Sequence, residues 1–218
     1  MNARLRVGVL ASGSGTNLQA ILDATKAPDY PAEVVVVIAN VGEAKALDRA
    51  HAAKIPAKLI EHRSFPSRDA FEAKLVETLK AHQVELVCLA GFMRLVGPTF
   101  LRAFPGKVLN IHPALLPAFP GLHAQRQAIA RGVKISGCTV HFVDEGTDTG
   151  PILLQAAVPV LENDDEAALA ARILTQEHKL YPLAIRLFAQ GRVRLDGKRV
   201  HVTGEPVAEG PALRSVEK

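Results

Sequence analysis

Short apolar runs rich in β-branched residues alternate with helix-like segments through the first half of this 218-residue chain. Strands covered on both faces have this composition, so the runs predict a mostly parallel sheet. The predicted strands are Leu5–Ala11, Val34–Ala39, Ala57–Ile60, Glu85–Ala90 and Lys107–Ile111. The predicted helices between them are Asn17–Thr25, Glu43–Ala53 and Ser67–His82. This βαβα order predicts an α/β fold with a single doubly wound, mostly parallel sheet and helices on both faces.

The second half of the chain departs from this alternation. His112–Gly121 contains three prolines and is predicted to be an ordered loop. The elements predicted after it are a helix at Leu122–Arg131, strands at Ile135–Val143 and Pro151–Val160, a helix from about Asp164 to Tyr181, a further helix at Leu183–Gln190 and a hairpin at Gly191–Val202. Pro182 is expected to kink or restart the long helix. Residues 1–202 are predicted to form one domain, followed by a loose tail at 203–218.

Composition excludes several classes of protein. The formal net charge is +4 and the isoelectric point is about 9.2, which would allow nucleic-acid binding. The positive surplus is spread along the chain, however, so a dedicated nucleic-acid-binding arm or domain is not expected. The two cysteines, Cys88 and Cys138, are too few for a disulfide framework. No apolar run near the N-terminus approaches the roughly 20 residues of a membrane span. With only two cysteines, the cytoplasm is the expected location.

A glycine-rich turn between the first strand and the first helix is one candidate site. Ser12–Asn17 reads SGSGTN, and backbone N–H groups at such a helix start suit a phosphate. A dinucleotide-binding fingerprint would need a third glycine where Leu18 stands, and a P-loop lysine is absent. We therefore predict a monophosphate or small-anion site; the alternative is an ordinary tight turn.

Asn110 and His112 end the fifth predicted strand and should point to the same face. An amide and an imidazole placed together could polarise a carbonyl and move a proton, although a structural core histidine is an equal alternative. The acidic loop Asp144–Gly150 is usually a solvated turn, but one of its carboxylates could instead lie beside His112 and raise its pKa. Spacing does not choose between Asp144 and Asp148. The histidines lack metal-binding spacing and no nucleophile elbow is present, so neither a metal nor a covalent acyl intermediate is expected.

Four segments resemble the folate-dependent glycinamide ribonucleotide formyltransferases over most of the chain. They are Val7–Leu22, Leu89–Val96, Val108–Ile129 and Gly137–Val160. The resemblance implies transfer of a formyl group from 10-formyltetrahydrofolate to the amine of 5-phosphoribosylglycinamide, with no metal and no nucleic-acid or membrane partner. The catalytic residues that it implies are Asn110, His112 and Asp148, so it selects Asp148 as the partner of His112. It also makes the Leu116–Pro117 bond a candidate cis peptide.

The same resemblance implies binding residues for both substrates. Those implied for the phosphate and ribosylglycinamide are Gly15, Thr16, Asn17, Leu174, Thr175, Gln176 and Glu177. Those implied for the folate are Arg68, Met93, Arg94, Leu95, Val96, Asn110, Asp144, Glu145, Gly146, Thr147 and Asp148. Three alternatives remain: a formyltetrahydrofolate hydrolase, a formyltransferase acting on methionyl-tRNA and a non-catalytic nucleotide-phosphate binding module. The first two are expected to carry an extra domain, for which the sequence leaves no room. The basic stretch Arg186–Arg199 is not explained by the resemblance.

Overall fold

The apolar runs of the sequence form one seven-stranded sheet in the computed structural model, which describes residues 3–204. Its strands are β1 (Leu5–Ala11), β2 (Ala32–Ala39), β3 (Ala57–Leu59), β4 (Leu86–Leu89), β5 (Val108–His112), β6 (Ile135–Phe142) and β7 (Ile152–Pro159). Their order across the sheet is β3-β2-β1-β4-β5-β6-β7. Neighbours from β3 to β5 are parallel, while β6 is antiparallel to both β5 and β7. The predicted mostly parallel sheet is confirmed.

Helices connect the strands. They are α1 (Thr16–Thr25), α2 (Lys45–Ala52), α3 (Arg68–Ala81), α4 (Pro98–Ala103), α5 (Ala124–Ala130) and α6 (Glu166–Ala189), with a short 3-10 helix at His62–Ser64. The start of α3 is as expected, since the Ser67 side chain accepts a hydrogen bond from the Ala70 N–H at 3.1 Å. The short helix α4, with Pro98 in its first turn, was not expected from the sequence.

The expected restart of the helix at Pro182 is wrong, because α6 runs unbroken past it. Proline removes one backbone hydrogen bond and strains the preceding turn. The buried face around it, including Leu180, Tyr181, Ala184 and Ile185, packs against the sheet and offsets that cost. The Tyr181 hydroxyl also donates to the carbonyl oxygens of β4 and β5, at 3.1 Å and 3.0 Å respectively. Packing therefore holds the helix together where local sequence predicts a break.

Two apolar clusters cover the two faces of the sheet. One lies between the sheet and α1, α2 and α6, and includes Val9, Cys88 and Ile111. The other lies between the sheet and α3 and α4, and includes Leu10 and Leu89. Alternate residues of a strand point to opposite faces, so Asn110 and His112 are directed away from Ile111, toward the side of α3 and α4. The helices therefore lie on both faces, as predicted.

The chain beyond α6 forms the predicted hairpin, which is a second sheet of two strands. Its strands are β8 (Val193–Asp196) and β9 (Arg199–Val202), paired antiparallel. Gly197 turns the chain between them with a φ of +59°. Residues 205–218, most of the predicted tail, lie outside the described residues. Across positions 3–204 no helix has both the length and the apolar character that a membrane crossing requires.

Candidate active site

Asn110 and His112 lie on one face of β5, as their spacing predicts. In the antiparallel pairing of β5 with β6, Asn110 is opposite His141 and His112 is opposite Thr139. Opposite residues in such a pair project from the same face, so these four side chains form one polar cluster. The Asn110 amide lies 3.1 Å from Nε2 of His141. The cluster is set at the carboxyl end of β5, where open α/β sheets commonly bind ligands.

Both ring nitrogens of His112 face acceptor atoms. Nε2 is 2.8 Å from the Phe119 carbonyl oxygen, and Nδ1 is 3.3 Å from Oδ2 of Asp148. Burial lowers the pKa of His112, and this effect outweighs the Asp148 charge and the Phe119 hydrogen bond, which raise it. The Asp148 charge raises the pKa, as predicted for a neighbouring carboxylate, but burial determines the net direction. A neutral imidazole results near pH 7, with acceptors placed to receive a hydrogen bond from either nitrogen.

Asp148 connects the loop after β6 with the cluster. Its Oδ2 accepts a hydrogen bond from the Gly121 N–H at 2.8 Å, and its Oδ1 lies 3.6 Å from Nε2 of His141. Burial raises the pKa of Asp148, but the hydrogen bonds from His141 and Gly121 and the charge of His112 together lower it below its ordinary value. The residue adopts a φ of +55°, a conformation that aspartate tolerates better than most residues. A carboxylate is thus held charged beside His112.

The loop that supplies Phe119 and Gly121 is held by a buried threonine. The Thr139 hydroxyl donates to the Ala114 carbonyl oxygen at 2.7 Å and accepts from the Leu116 N–H at 3.1 Å. Gln155 on β7 donates to the Leu116 carbonyl oxygen at 2.9 Å. The Leu116–Pro117 peptide bond is cis, in agreement with the expectation. These contacts fix the loop that carries two of the hydrogen-bonding groups around His112 and Asp148.

An open helix start lies at the carboxyl end of β1. Gly15 precedes α1 with a φ of +68°, and among residues 3–204 no side chain caps the helix. The Gln19 N–H bonds to the Gly15 carbonyl oxygen at 2.9 Å, so the N–H groups of residues 16–18 have no partner within the helix. A Cβ at Gly15 would lie 2.8 Å from Cα of Ala46, so α2 leaves no room for a side chain. These features suit a small anion.

Asn17 and Glu177 bring α1 and α6 together beside this helix start. The Asn17 amide donates to Oε2 of Glu177 at 2.7 Å, and the Glu177 side chain is buried. Burial raises the pKa of Glu177, opposed by that hydrogen bond. Oδ1 of Asn17 is buried without a hydrogen-bond partner among the described residues. A polar ligand at this position could supply the partner that this oxygen lacks.

The other residues expected around the ribosylglycinamide lie on the turn of α6 before Glu177. Leu174 and Gln176 are half-buried and Thr175 is exposed. The Thr175 hydroxyl donates to the Arg172 carbonyl oxygen of the same helix at 2.7 Å. Only Glu177 of the four is hydrogen-bonded to the glycine-rich turn.

Apart from Asn110 on β5, the residues expected around the folate lie on three separate segments. Met93 and Leu95 expose 67% and 61% of their surface, and Arg94 is exposed as well, whereas Val96 is buried in the core. The Met93 N–H donates to the Ser12 hydroxyl at 2.9 Å, which joins this segment to the glycine-rich turn. Unpartnered apolar side chains beside a polar cluster are typical of a ligand-binding slot. Val96 belongs instead to the apolar cluster between the sheet and α3 and α4.

The loop after β6 and the start of α3 supply the rest of the expected folate residues. Oδ1 of Asp144 accepts from the Gly146 N–H at 3.1 Å and from the Thr149 hydroxyl at 2.7 Å, so Asp144 holds the loop's shape. Glu145, Gly146 and Thr147 are exposed. Arg68, at the start of α3, donates from Nε to Oε1 of Glu72 at 2.8 Å. Of the loop's two aspartates, the structure places Asp148 beside His112.

His141 is also part of this site, although its position within a predicted strand does not distinguish it from an ordinary packed side chain. Its side chain is buried, and it contacts both Asn110 and Asp148. The signal that could have identified it is its register opposite Asn110, which depends on how β5 and β6 align. Between residues 3 and 204 no group of three or more histidine, cysteine, aspartate or glutamate side chains is arranged to hold a metal ion.

A protein-family model described as "Formyl transferase" matches residues 5–185. The chain belongs to the formyl transferase family. The chain is 45% identical over 181 residues to the phosphoribosylglycinamide formyltransferase of Bacillus subtilis, a match that covers 83% of this chain and 93% of that relative. It is 52% identical over 190 residues to the trifunctional purine biosynthetic protein adenosine-3 of Drosophila melanogaster. That match covers 86% of this chain but only 14% of the longer protein.

Solved formyl transferase structures share the fold. The crystal structure of glycinamide ribonucleotide transformylase 1 from Symbiobacterium toebii matches with a TM-score of 0.92 and 56% identity, covering 94% of this chain and 96% of that one. A formyltetrahydrofolate deformylase from Pseudomonas syringae matches with a TM-score of 0.86 and 25% identity, covering 93% of this chain and 67% of that one. The fold thus occurs in proteins named for formyl transfer and in one named for deformylation.

Proposed function

We propose that this formyl transferase moves the formyl group of 10-formyltetrahydrofolate to the amine of 5-phosphoribosylglycinamide, a step of purine biosynthesis. The observation that carries the proposal is the His112–Asp148 pair, which lies beside Asn110 at the same sheet edge as the open start of α1. Two anionic small molecules are the proposed substrates, and neither a nucleic acid nor a membrane is a proposed partner. The proposed location is the cytoplasm, which accords with two buried free cysteines.

The phosphate of the acceptor would bind at the start of α1. The N–H groups of residues 16–18 and the positive end of the helix favour an anion there. Asn17 and Glu177 would then meet the ribose, whose hydroxyls can donate to Glu177 and to the unpartnered Oδ1 of Asn17. The glycinamide amine would extend from this point toward β5.

The co-substrate would lie across the edge of β4 and β5. Met93 and Leu95 offer apolar surface for the flat pterin, and Arg68 offers a cation for the anionic tail. The loop 144–148 would close the other side of the slot. The formyl carbon would then lie near Asn110 and His112, between the two binding regions.

The chemistry proposed for this site is direct transfer. The amine nitrogen attacks the formyl carbon, the carbonyl electron pair moves to oxygen, and collapse of the tetrahedral intermediate expels the folate nitrogen. The Asn110 amide donates a hydrogen bond to the developing oxyanion. The neutral imidazole of His112 takes up the proton released by the attacking amine. The resulting imidazolium then returns a proton to the departing folate nitrogen, directly or through water. Asp148 stabilises the imidazolium while it exists, and proton transfer of this kind contributes about 10²–10⁴ in rate.

The test is to follow folate product spectrophotometrically from a 10-formylfolate analogue, with and without phosphoribosylglycinamide. Product that appears only when the amine is present supports formyl transfer. Product formed at the same rate without the amine would instead assign a hydrolase, the alternative favoured by the structural likeness to a deformylase. Absence of product under both conditions, with the acceptor still bound, would assign a binding module.

A further inference from the structure

Glu72 is a carboxylate buried in the second turn of α3, outside the catalytic cluster. Only 1% of its surface is exposed, and both of its oxygens are hydrogen-bonded. Oε1 accepts from Nε of Arg68 at 2.8 Å and from the Gly97 N–H at 2.7 Å, while Oε2 accepts from the Phe100 N–H at 3.2 Å. Burying a charged carboxylate costs free energy unless it is fully hydrogen-bonded, and these three hydrogen bonds offset that cost.

Two of these hydrogen bonds cap a neighbouring helix. Gly97 precedes α4 and supplies no side-chain cap of its own, and Phe100 lies in the first turn of that helix. Glu72 therefore accepts hydrogen bonds from two N–H groups at the positive end of α4, although the Phe100 N–H also donates to the Gly97 carbonyl oxygen at 3.1 Å. Because the expected folate segment 93–96 runs directly into Gly97, the same carboxylate fixes the end of that segment.

The third hydrogen bond orients Arg68. Its Nε is directed to Glu72, while neither terminal nitrogen is hydrogen-bonded to any other residue between 3 and 204. The side chain is about half exposed, at 49%. A Cβ on Gly97 would lie 2.8 Å from Nη2 of Arg68, so the guanidinium rests on the bare backbone there. The fork of the guanidinium is thus held in place with its outer edge available for a carboxylate.

We infer that Glu72 is a positioning residue for the anionic glutamate tail of the folate, because it holds the Arg68 guanidinium where that tail can bind. The inference rests on the proposed function, because it deepens the account of the folate site. Glu72 itself touches no substrate. Its effect is on the affinity for the tail and not on the transfer step.

The test uses Glu72→Gln, which keeps the size of the side chain but removes its charge. With a 10-formylfolate analogue, we expect the KM for the folate to rise about tenfold, because a charge-assisted hydrogen bond that orients Arg68 is weakened. The kcat and the KM for phosphoribosylglycinamide should stay within about twofold of the wild type. The rise should disappear with the same analogue lacking its glutamate, because Arg68 then has no carboxylate to bind.

Glu77→Gln is the matched control, since it removes an exposed carboxylate from the same helix, one that forms an ion pair with Lys74 at 2.8 Å. It should leave both KM values unchanged. An unchanged folate KM in Glu72→Gln, or an equal rise with the analogue that lacks glutamate, would overturn the inference. A wild-type protein that transfers no formyl group would contradict the proposed function. An active wild type together with an unaltered folate KM in Glu72→Gln would contradict only the role of Glu72.

Gly97→Ala gives a second route that leaves Glu72 intact and decides the matter if Glu72→Gln does not fold. Gly97 has a φ of −109°, which alanine adopts freely, but the new Cβ would lie 2.8 Å from Nη2 of Arg68 and 3.1 Å from Oε1 of Glu72. It would therefore displace the guanidinium from its place against that carboxylate. We expect the same tail-dependent rise in folate KM, about tenfold, with kcat retained. A Gly97→Ala enzyme with normal folate KM would show that the placement of Arg68 is unimportant.

Discussion

Replacement of Asp148 by asparagine isolates the charge beside His112. The amide oxygen of asparagine can still accept the hydrogen bond from the Gly121 N–H, which is 2.8 Å from the carboxylate. The loop should therefore keep its position, and the φ of +55° at this residue is tolerated by asparagine as well as by aspartate. What the substitution removes is the negative charge 3.3 Å from Nδ1 of His112.

The size of the effect follows from that separation. Coulomb's law with an effective dielectric constant of about 20 gives about 5 kcal/mol for full charges separated by the 3.3 Å between Nδ1 and Oδ2, before screening. Measured effects of an opposite charge at such range are about 1–3 pKa units, or about 1.4–4 kcal/mol. Since burial already lowers the pKa of His112, the variant should lower it further, by about 1–3 units.

Two measurements test this reasoning. Formyl transfer followed across pH should show kcat reduced about 10²-fold or more, with the acid limb of kcat/KM moved to lower pH. The His112 imidazole, assigned by its loss in His112→Asn, should titrate at lower pH in the Asp148→Asn protein by NMR. Asp196→Asn, on the exposed hairpin, is the charge-matched control and should change neither. An unchanged His112 titration in Asp148→Asn would refute the electrostatic role.

Three further substitutions test the acceptor site and the scaffold. Gly15→Ala should raise the KM for phosphoribosylglycinamide about tenfold or more in steady-state assays, because the φ of +68° and the contact with Ala46 force the turn to move. Glu177→Gln should raise the same KM about tenfold with little change in the folate KM. Burial raises the pKa of Glu177 in the folded protein, so ionisation of this group lowers the free energy of unfolding of the wild type as pH rises above about 4.3. Urea denaturation at several pH values should show that the glutamine variant lacks this dependence. Tyr181→Phe should lower the free energy of unfolding by about 1–3 kcal/mol, since the buried hydroxyl that bonds to the Leu89 and Leu109 carbonyl oxygens is lost.

Each of these has a contrary outcome. A Gly15→Ala enzyme with wild-type acceptor kinetics would remove the anion site from the start of α1. Equal changes in both KM values for Glu177→Gln would indicate a general structural defect. An unfolding free energy unchanged in Tyr181→Phe would mean that packing alone joins α6 to β4 and β5.

The alternation of apolar runs with helical segments predicted the parallel part of the sheet. The shared face of Asn110 and His112 was predictable too, because successive side chains of a strand point to opposite faces. The Pro182 interruption could not be judged in the same way. Local rules count the hydrogen bond that proline removes, but the stability of α6 depends on the apolar face that it buries against strands distant in sequence.

The partner of His112 depends on a geometry that spacing does not contain. Because β6 is antiparallel to β5, Phe142 at its end lies opposite Leu109, so the loop leaves the sheet away from His112 and must fold back over the face. Asp144, near the start of that loop, bonds within it, and only after the fold-back does Asp148 meet His112. The register that places His141 opposite Asn110 is likewise set by the residues between β5 and β6 and not by either strand. In a site formed across an antiparallel pair, the residues on one strand can therefore be predicted from their spacing. The residues on the second strand can be assigned only once the register of the pair is known.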